Sequence, residues 1–504
     1  MPDLLLLLQS GALPAFTQPV IVGIMLAYFI VTAGIGVWAT RRTKNARDFF
    51  VAGQGIGVVT MAVAAMAATL SGFTFIGGPG LIYSIGLGAI FINLPLSITT
   101  AMGGWVLGKR LRLLSEVRPM LTIPDAIGAR YRSRAAQGLS AVAILIAIAG
   151  YLATNFLALG FALDAVFGCG LTWGIWIGVA FTLAYSVGGG ILAGVYTDLF
   201  QGTVMALASL LVVAVIWRVS GGVTALTMTI MSGDPAFLSP WGKVSPLAAL
   251  SFFFVFGIGT LGQPHVVHKF YMLRDPRRLK WYPLVMTVAM SMTLLLMFGV
   301  GLAVKAMVLS GEMPPLARAD DATPQFLLRF APLALAGIVF AGVAAAIMST
   351  VNAFMSVGSA AISHDLPRAL GITVRNPLRW GRVGMGALSV VGALLALQSR
   401  TLVAFLGIFG WGLLASTLVP ALAIGLNWKG ATRAGALASI VTGIAVTLTL
   451  ETMAYYRIFT YPAGVTATAL ALVSALLVFF VVSFLTRRSA EGDLDPDVAV
   501  VMDA

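Results

Sequence analysis

Long apolar runs alternate with short polar stretches from one end of the chain to the other. Runs able to cross about 30 Å of hydrocarbon fall at 18–38, 53–79, 86–108, 137–163, 172–190, 194–217, 245–268, 282–307, 332–362, 383–398, 402–426, 435–452 and 463–486. They predict thirteen membrane helices. The fifth and sixth abut at "GGGILAGVYTDLFQG", and the tenth is short, so the pattern sets those limits only loosely. Two runs carry helix breakers in their middle: the second at "LSGFTFIGGPG" (70–80) and the seventh at "FGIGTLGQPHVVHKF" (256–270). Bare backbone in hydrocarbon costs several kcal/mol per unsatisfied group, so a chain broken there must be holding something.

Composition agrees with the pattern: 59% of the residues are hydrophobic and 10% charged, with mean hydropathy +0.98, against about 25% charged in soluble domains. This is a polytopic membrane protein. The single cysteine, Cys169, excludes an internal disulfide and a cysteine-based metal cluster, and reads as a small packing residue. The opening "MPDLLLLLQSGALP" has Asp3 where a signal peptide is basic, so it reads as an uncleaved leader.

The net charge of +13 calls for a partner only if it is not topological. With the N-terminus outside, the inside segments hold 4, 7, 5, 4, 2 and 2 Lys and Arg, 24 of the 31, and the outside segments hold 7. The positive-inside rule therefore places the N-terminus outside and the C-terminus in the cytoplasm. No nucleic acid is needed to explain the charge.

The two broken spans, second and seventh, run in opposite directions on this count. Paired interruptions in oppositely oriented halves are the mark of an inverted-repeat transporter with its site at mid-membrane. Freed carbonyls and a half-helix N-terminus can together hold a cation and an anion. Of the 18 Asp and Glu, none falls at a span centre; Asp164, Asp198 and Asp365 lie near span ends. A proton-coupled carrier needs a titratable group within the membrane, and the candidate is His265, which equally well serves to hydrogen-bond loosened backbone. A cation held without carboxylates takes carbonyl and hydroxyl oxygens, which suits Na+. Ser349 and Thr350 in the ninth run offer such hydroxyls, unless they bond their own helix. His268 and His364, at cytoplasmic ends, read as solvated. Three histidines and one cysteine make no catalytic set, so the chain is not read as an enzyme.

The stretches "LSGFTFIGGPGLIYSIG", "LTIPDAIGARY", "GGGILAGVYTDLFQG", "GQPHVVHKF" and "AAIMSTVNAFMSVGSAAISHDL", in that order, resemble the sodium:solute symporter family. The resemblance implies an all-α, thirteen-helix fold in which helices two to eleven form a LeuT-like five-plus-five inverted repeat. It divides the chain into an external leader (1–17), an accessory first helix and cytoplasmic loop (18–48), two repeats (49–218 and 219–428), two accessory helices (429–488) and a disordered cytoplasmic tail (489–504). It implies an Na+ site made of the carbonyls of Ala67, Leu70 and Ala346 and the hydroxyls of Ser349 and Thr350. Some relatives add a second Na+ site whose aspartate matches Asp198, but Asn352 and Ala353 stand where they have serines, so one Na+ is expected.

For the solute, proline symporters of the family carry an acidic residue, a tryptophan and a tyrosine where this chain has Thr69, Phe256 and Thr260. The stretches "FIGGPGLIYSIGLG" and "AAIMSTVNA" are more similar to pantothenate symporters. Thr69, Ser71 and Thr74 match hydroxyls that sialic-acid-transporting relatives place on a carboxylate, with Asn93 near a matching amide; Gly72 and Gln263 complete the implied solute wall. The expectation is an inner-membrane Na+ symporter of a small monocarboxylate, with no obligate protein partner. An amino-acid or sugar symporter of the same fold, and a sensor module without transport, are the alternatives.

The orientation is directly testable. A reporter fused after Arg488 is expected to read cytoplasmic and one inserted in the 219–243 loop external; reversal of either result removes the inverted-repeat alignment.

Overall fold

The structure is a computed structural model that describes residues 18–43, 46–399, 402–456, 458, 465–487 and 494–503. The expected leader, 1–17, lies outside the described residues. Among those described, the architecture is helical throughout, and the extended backbone amounts to one bridge between Ile56 and Leu273.

The helices used below are α1 (Pro19–Arg42), α2 (Val58–Thr69), α3 (Gly78–Ile85), α4 (Ile90–Gly103), α5 (Ile123–Arg130), α6 (Arg134–Phe167), α7 (Leu171–Ser220), α8 (Pro246–Gly259), α9 (Pro264–Val267), α10 (Tyr282–Leu309), α11 (Leu333–Ala360), α12 (Pro377–Gln398), α13 (Val403–Leu418), α14 (Arg433–Tyr455), α15 (Ala467–Thr486) and α16 (Pro496–Asp503). Among the described residues, ten helices are long and apolar enough to cross a membrane, and the bent pair Pro246–Gly262 and Pro264–Met272 makes up to an eleventh. The count of thirteen goes beyond this. The second expected run is divided between the short helix Val58–Thr69 and the start of a long helical stretch, Phe73–Val117, and the fifth is the short apolar helix Leu171–Val187.

The interruptions fall where the chain chemistry puts them. After α2 the backbone turns extended at Leu70 (φ −89°, ψ 103°) and resumes as a wide helical turn at Phe73–Gly77. Gly72 lets this turn press against α6, since a Cβ there would lie 2.6 Å from the Cβ of Ala158. At the second interruption Gln263 is extended (φ −83°, ψ 101°), because the ring of Pro264 disfavours a helical residue before it; the two halves meet at 43°. The abutting fifth and sixth runs are two helical segments that meet at a break at Gly190, whose φ of 54° and ψ of −141° only glycine adopts without strain.

α11 and α13 are the inner helices, each with 83% of its apolar window buried, against 33% and 39% for α14 and α15 at the periphery. Outward-facing residues of the outer helices are apolar as well, among them Ile30, Trp173, Trp217, Phe484 and Leu485. Water would not tolerate such a belt and lipid does.

Four of the basic segments expected inside, 109–134, 269–280, 368–382 and 429–433, meet at one end. Arg112 donates to the carbonyl of Leu273 at 2.6 Å, Arg130 to those of Gly425, Trp428 and Ala431, and Arg368 to Asp125 at 2.9 Å. The tail departs from its expected disorder: α16 packs at this same end with Val498, Val501 and Met502 buried. Arg118 pairs with Asp495, and Lys429 with Asp503 at 2.7 Å. Three apolar residues at positions i, i+3 and i+4 make one helical face, and basic neighbours offset the acidic charge that otherwise favours disorder.

The close approach at Gly72 gives a stability test. Gly72→Ala is expected to destabilise the purified protein by about 1–3 kcal/mol through overpacking, lowering its melting temperature in detergent. Ala158→Gly on top of it is expected to restore part of the loss, whereas a neutral Gly72→Ala contradicts the packing described.

Candidate ion and solute site

The end of α2 leaves carbonyls without helical partners. α11 crosses this end and brings its own hydroxyls to them. Ser349 Oγ lies 2.6 Å from the carbonyl oxygen of Ala67 and 3.2 Å from that of Ala346. Thr350 Oγ1 lies 3.1 Å from the carbonyl of Ala68 and 3.0 Å from that of Ala346. Both side chains are fully buried. Five oxygens thus converge while two hydroxyl protons serve four close approaches, an excess of lone pairs that a cation satisfies. The C-terminal end of a helix adds negative potential. Every donor is a neutral oxygen, which fits a hard cation such as Na+. Of the expected ligands, Ala67, Ala346, Ser349 and Thr350 are brought together. Leu70 sits at the break itself, next to this group in the chain, and Ala68 takes part unforeseen.

The N-terminal side of the interruption is already capped. Asn155 of α6 accepts from the Gly72 amide at 3.0 Å, and Ser71 Oγ from the Phe73 amide at 3.2 Å. Beside it lies a cavity of ≈ 20 Å³, bounded by Thr69, Ser71, Thr74, Thr350 and aromatic groups. A water needs about 10–15 Å³ measured this way, so the cavity has room for a water or two. On one side Phe73, Phe256 and Trp411 stack, with ring centroids 5.8 and 5.3 Å apart. On the other, Phe354 packs on Tyr151 at 4.3 Å and on His265 at 4.1 Å.

The expected solute residues divide here. Thr69, Ser71, Thr74 and Phe256 line the cavity, while Gly72, Asn93, Thr260 and Gln263 are outside that lining. Thr69 Oγ1 donates to the carbonyl of Ala65 in its own helix at 2.7 Å. Asn93 Nδ2 faces Met297 Sδ, Thr260 Oγ1 donates to Phe256 O at 2.9 Å, and Gln263 Nε2 binds the carbonyls of Gly259 and Trp411. The buried polar atoms left unpartnered at the cavity wall are Tyr151 Oη and His265 Nδ1. Tyr151 has no motif around it in the sequence; its place one turn before Asn155 on α6 was the only available signal.

Asp198 meets a partner that the sequence hides. Lys269 Nζ lies 2.8 Å from Asp198 Oδ2, with both side chains 2% exposed or less. An ammonium already balances the carboxylate that a second Na+ would need. Asn352 packs its amide into the space that Gly194 leaves open, where a Cβ would lie 2.2 Å from Nδ2.

The two histidines expected in solvent are enclosed instead. His268 is buried and its Nε2 donates to the carbonyl of Leu121 at 2.7 Å. His364 is half-buried and bonds Asp125 at 2.9 Å. Burial alone would push the Asp125 carboxyl up, but the hydrogen bond and charge of His364, the Leu121 amide and Arg368 hold it below the usual carboxylate range. Asp365 is adjacent, with Oδ1 accepting from Thr122 Oγ1 at 2.6 Å and Gln137 Nε2 at 3.3 Å. Asp125, His364 and Asp365 place ligand atoms within 4.8 Å of one another, but Asp125 and His364 already satisfy each other.

Two interrupted helices beside a cluster of neutral oxygens are an arrangement that membrane transporters use. The sodium:solute symporter family matches residues 49–443, and this chain belongs to it. It is 28% identical over 455 residues to the sodium/pantothenate symporter of Escherichia coli (strain K12), covering 86% of this chain and 92% of that protein. It is 27% identical over 477 residues to the osmoregulated proline transporter OpuE of Bacillus subtilis (strain 168), covering 92% and 94%. Among solved structures, a substrate-bound, outward-open Na+-coupled sialic acid symporter matches with TM-score 0.77 and 16% identity over 92% of this chain and 98% of that one. Mhp1, a nucleobase-cation-symport-1 family transporter, matches in a closed conformation with TM-score 0.58 and 14% identity over 91% and 99%. At such identities the likeness is one of fold, and the fold is LeuT-like. The protein is a multi-pass membrane transporter of a sodium-using family, and its homologues are symporters, not enzymes.

The buried ion pair is testable by a double-mutant cycle. Asp198→Asn strands the Lys269 ammonium and is expected to cost about 3–5 kcal/mol of stability. Asp198→Leu combined with Lys269→Met is expected to recover most of it. Equal losses for single and double replacement, read from unfolding in detergent, contradict the pairing.

Proposed function

We propose that this protein imports a small monocarboxylate together with one Na+ by alternating access, with thirteen spans, its N-terminus outside and its C-terminus in the cytoplasm. The observation that carries the reading is the convergence of Ser349, Thr350 and Ala346 on the carbonyls of Ala67 and Ala68, beside a closed cavity between the two interruptions.

Thr350 belongs to both parts, since it joins the oxygen cluster and lines the cavity. The described cavity wall includes no Lys or Arg. A carboxylate entering there finds its positive charge in the Na+ behind Thr350, so each solute stabilises the other; that coupling is reciprocal by linkage. Thr74, whose hydroxyl lines the cavity, and Tyr151, whose Oη is unpartnered, are the groups placed to hydrogen-bond the carboxylate. Ser71 stays with them, since its Oγ accepts from the Phe73 amide and keeps its own proton, whereas Thr69 donates its proton to the carbonyl of Ala65. Admission of the solute requires the Phe73–Phe256–Trp411 stack to part, and its closure excludes water. The similarity to the pantothenate symporter supports a carboxylate, and the pairing of Asp198 with Lys269 supports a single ion.

Alanine replacements test the ion site. If Ser349 and Thr350 merely bond backbone, each loss costs about 0.6 kcal/mol, the average for such membrane contacts, and Na+ activation barely moves. If both hold the ion, Ser349→Ala and Thr350→Ala each raise the Na+ concentration for half-maximal uptake roughly tenfold or more, since 1.4 kcal/mol is a factor of ten. Saturating Na+ is expected to restore solute affinity. Normal Na+ activation in both variants, at matched expression, removes the site.

A further inference from the structure

About two turns beyond Ser349 along α11, toward the end where the basic segments gather, a second small cavity opens. It has a volume of ≈ 10 Å³ and is bounded by Ser356 and Asp365, by Pro264 and His268 after the second interruption, by Thr122 before α5, and by Ile191 beside the α7 break. That is about the room of one water-sized sphere. Three of these residues carry a buried polar atom with no partner: Ser356 Oγ, His268 Nδ1 and Asp365 Oδ2.

The chemistry of the three is one-sided. His268 Nε2 faces a carbonyl, so it carries the ring proton and leaves Nδ1 of the neutral ring as a lone pair. Asp365 has its Oδ1 satisfied by neutral donors, Thr122 and Gln137, while the cationic Arg368 is paired with Asp125. A buried carboxylate with one bare oxygen, whose neighbouring cationic groups His364 and Arg368 are both bonded to Asp125, is costly unless that oxygen is paired. A hydroxyl oxygen, an imidazole nitrogen and a carboxylate oxygen around a space of one small sphere form a ligand set for a cation.

The stripe leading to it points the same way. Ser349, Asn352 and Ser356 are spaced i, i+3 and i+7, on one face of α11, and span about 10 Å at 1.5 Å per residue. Asn352 Oδ1 is also buried and unpartnered. We propose that this lower cavity is a second Na+ station, formed by Ser356, His268 and Asp365, through which the ion released at Ser349 and Thr350 leaves toward the basic end. Asp198, already held by Lys269, is not on offer for the role. The inference rests on the reading that Ser349 and Thr350 hold Na+, and it adds a site on the way out, not a second coupling ion.

The test is equilibrium binding of radiolabelled Na+ to the purified full-length protein in detergent. Four proteins are compared: the unaltered chain, the double variant Ser349→Ala/Thr350→Ala, and that double variant with either Ser356→Ala or Asp365→Asn added. Saturable Na+ binding is expected to persist in the double variant with weaker affinity, and to fall at least tenfold further with Ser356→Ala or Asp365→Asn. Ser356→Ala removes a single oxygen that bonds nothing else, so it keeps the test clear of any folding defect in Asp365→Asn. Complete loss of binding in the double variant overturns the lower station, leaving a water in the cavity and the upper site intact. Residual binding indifferent to both added changes overturns it too. No binding to the unaltered chain overturns the function reading along with it.

Discussion

Hydrocarbon offers no water to a backbone whose helix has stopped, and the centre of this protein is organised around that constraint. The end of α2 exposes the carbonyls of Ala67 and Ala68 deep in the fold, and α11 answers with Ser349 and Thr350. Two hydroxyl protons cannot satisfy all the oxygens gathered there. The arrangement is stable enough to fold and incomplete enough to want a cation. Around it, Gly72 closes the turn against α6, Asn155 caps the restarted helix, and the two aromatic stacks seal the space beside it.

The same incompleteness accounts for coupling. Thr350 stands between the oxygen cluster and the cavity, so an ion at one site places charge against the other. With no basic side chain among the described cavity wall, the proposed ion would itself be the electrostatic attraction for the proposed anionic solute. The interruption of α8 and α9 at Gln263 and Pro264 sits across the cavity through Phe256 and His265. A change of tilt at either interruption therefore reaches the solute space directly, which is how alternating access moves a site without dismantling it.

Much of this was legible in the chain. Pro264 and the glycine-rich stretch after Leu70 mark the interruptions because their backbone chemistry admits few alternatives. The Lys and Arg distribution anticipated which segments meet at one end. Other features depend on distant partners that no local pattern encodes. Lys269 sits in the polar run "KFYMLRDPRR" and was counted with loop charges, yet it is buried on Asp198, 71 residues away. Asn155 caps Gly72 across 83 residues. The hydroxyl of Thr69 looks free for a solute until the carbonyl four residues back is seen to take it. In the tail, acidic residues mask the apolar face of Val498, Val501 and Met502, which becomes visible only with the basic groove that receives it.

The account stands or falls on which gradient drives the solute. Purified protein in liposomes, loaded against an inward Na+ gradient with the proton gradient collapsed, is to be screened with labelled monocarboxylates, pantothenate among them, alongside amino acids and sugars. The account predicts accumulation of a carboxylate that stops when Na+ is replaced by K+ and that an ester of the same compound fails to inhibit. Accumulation that persists without Na+ and follows an imposed proton gradient would contradict it, and would shift the coupling role to His265.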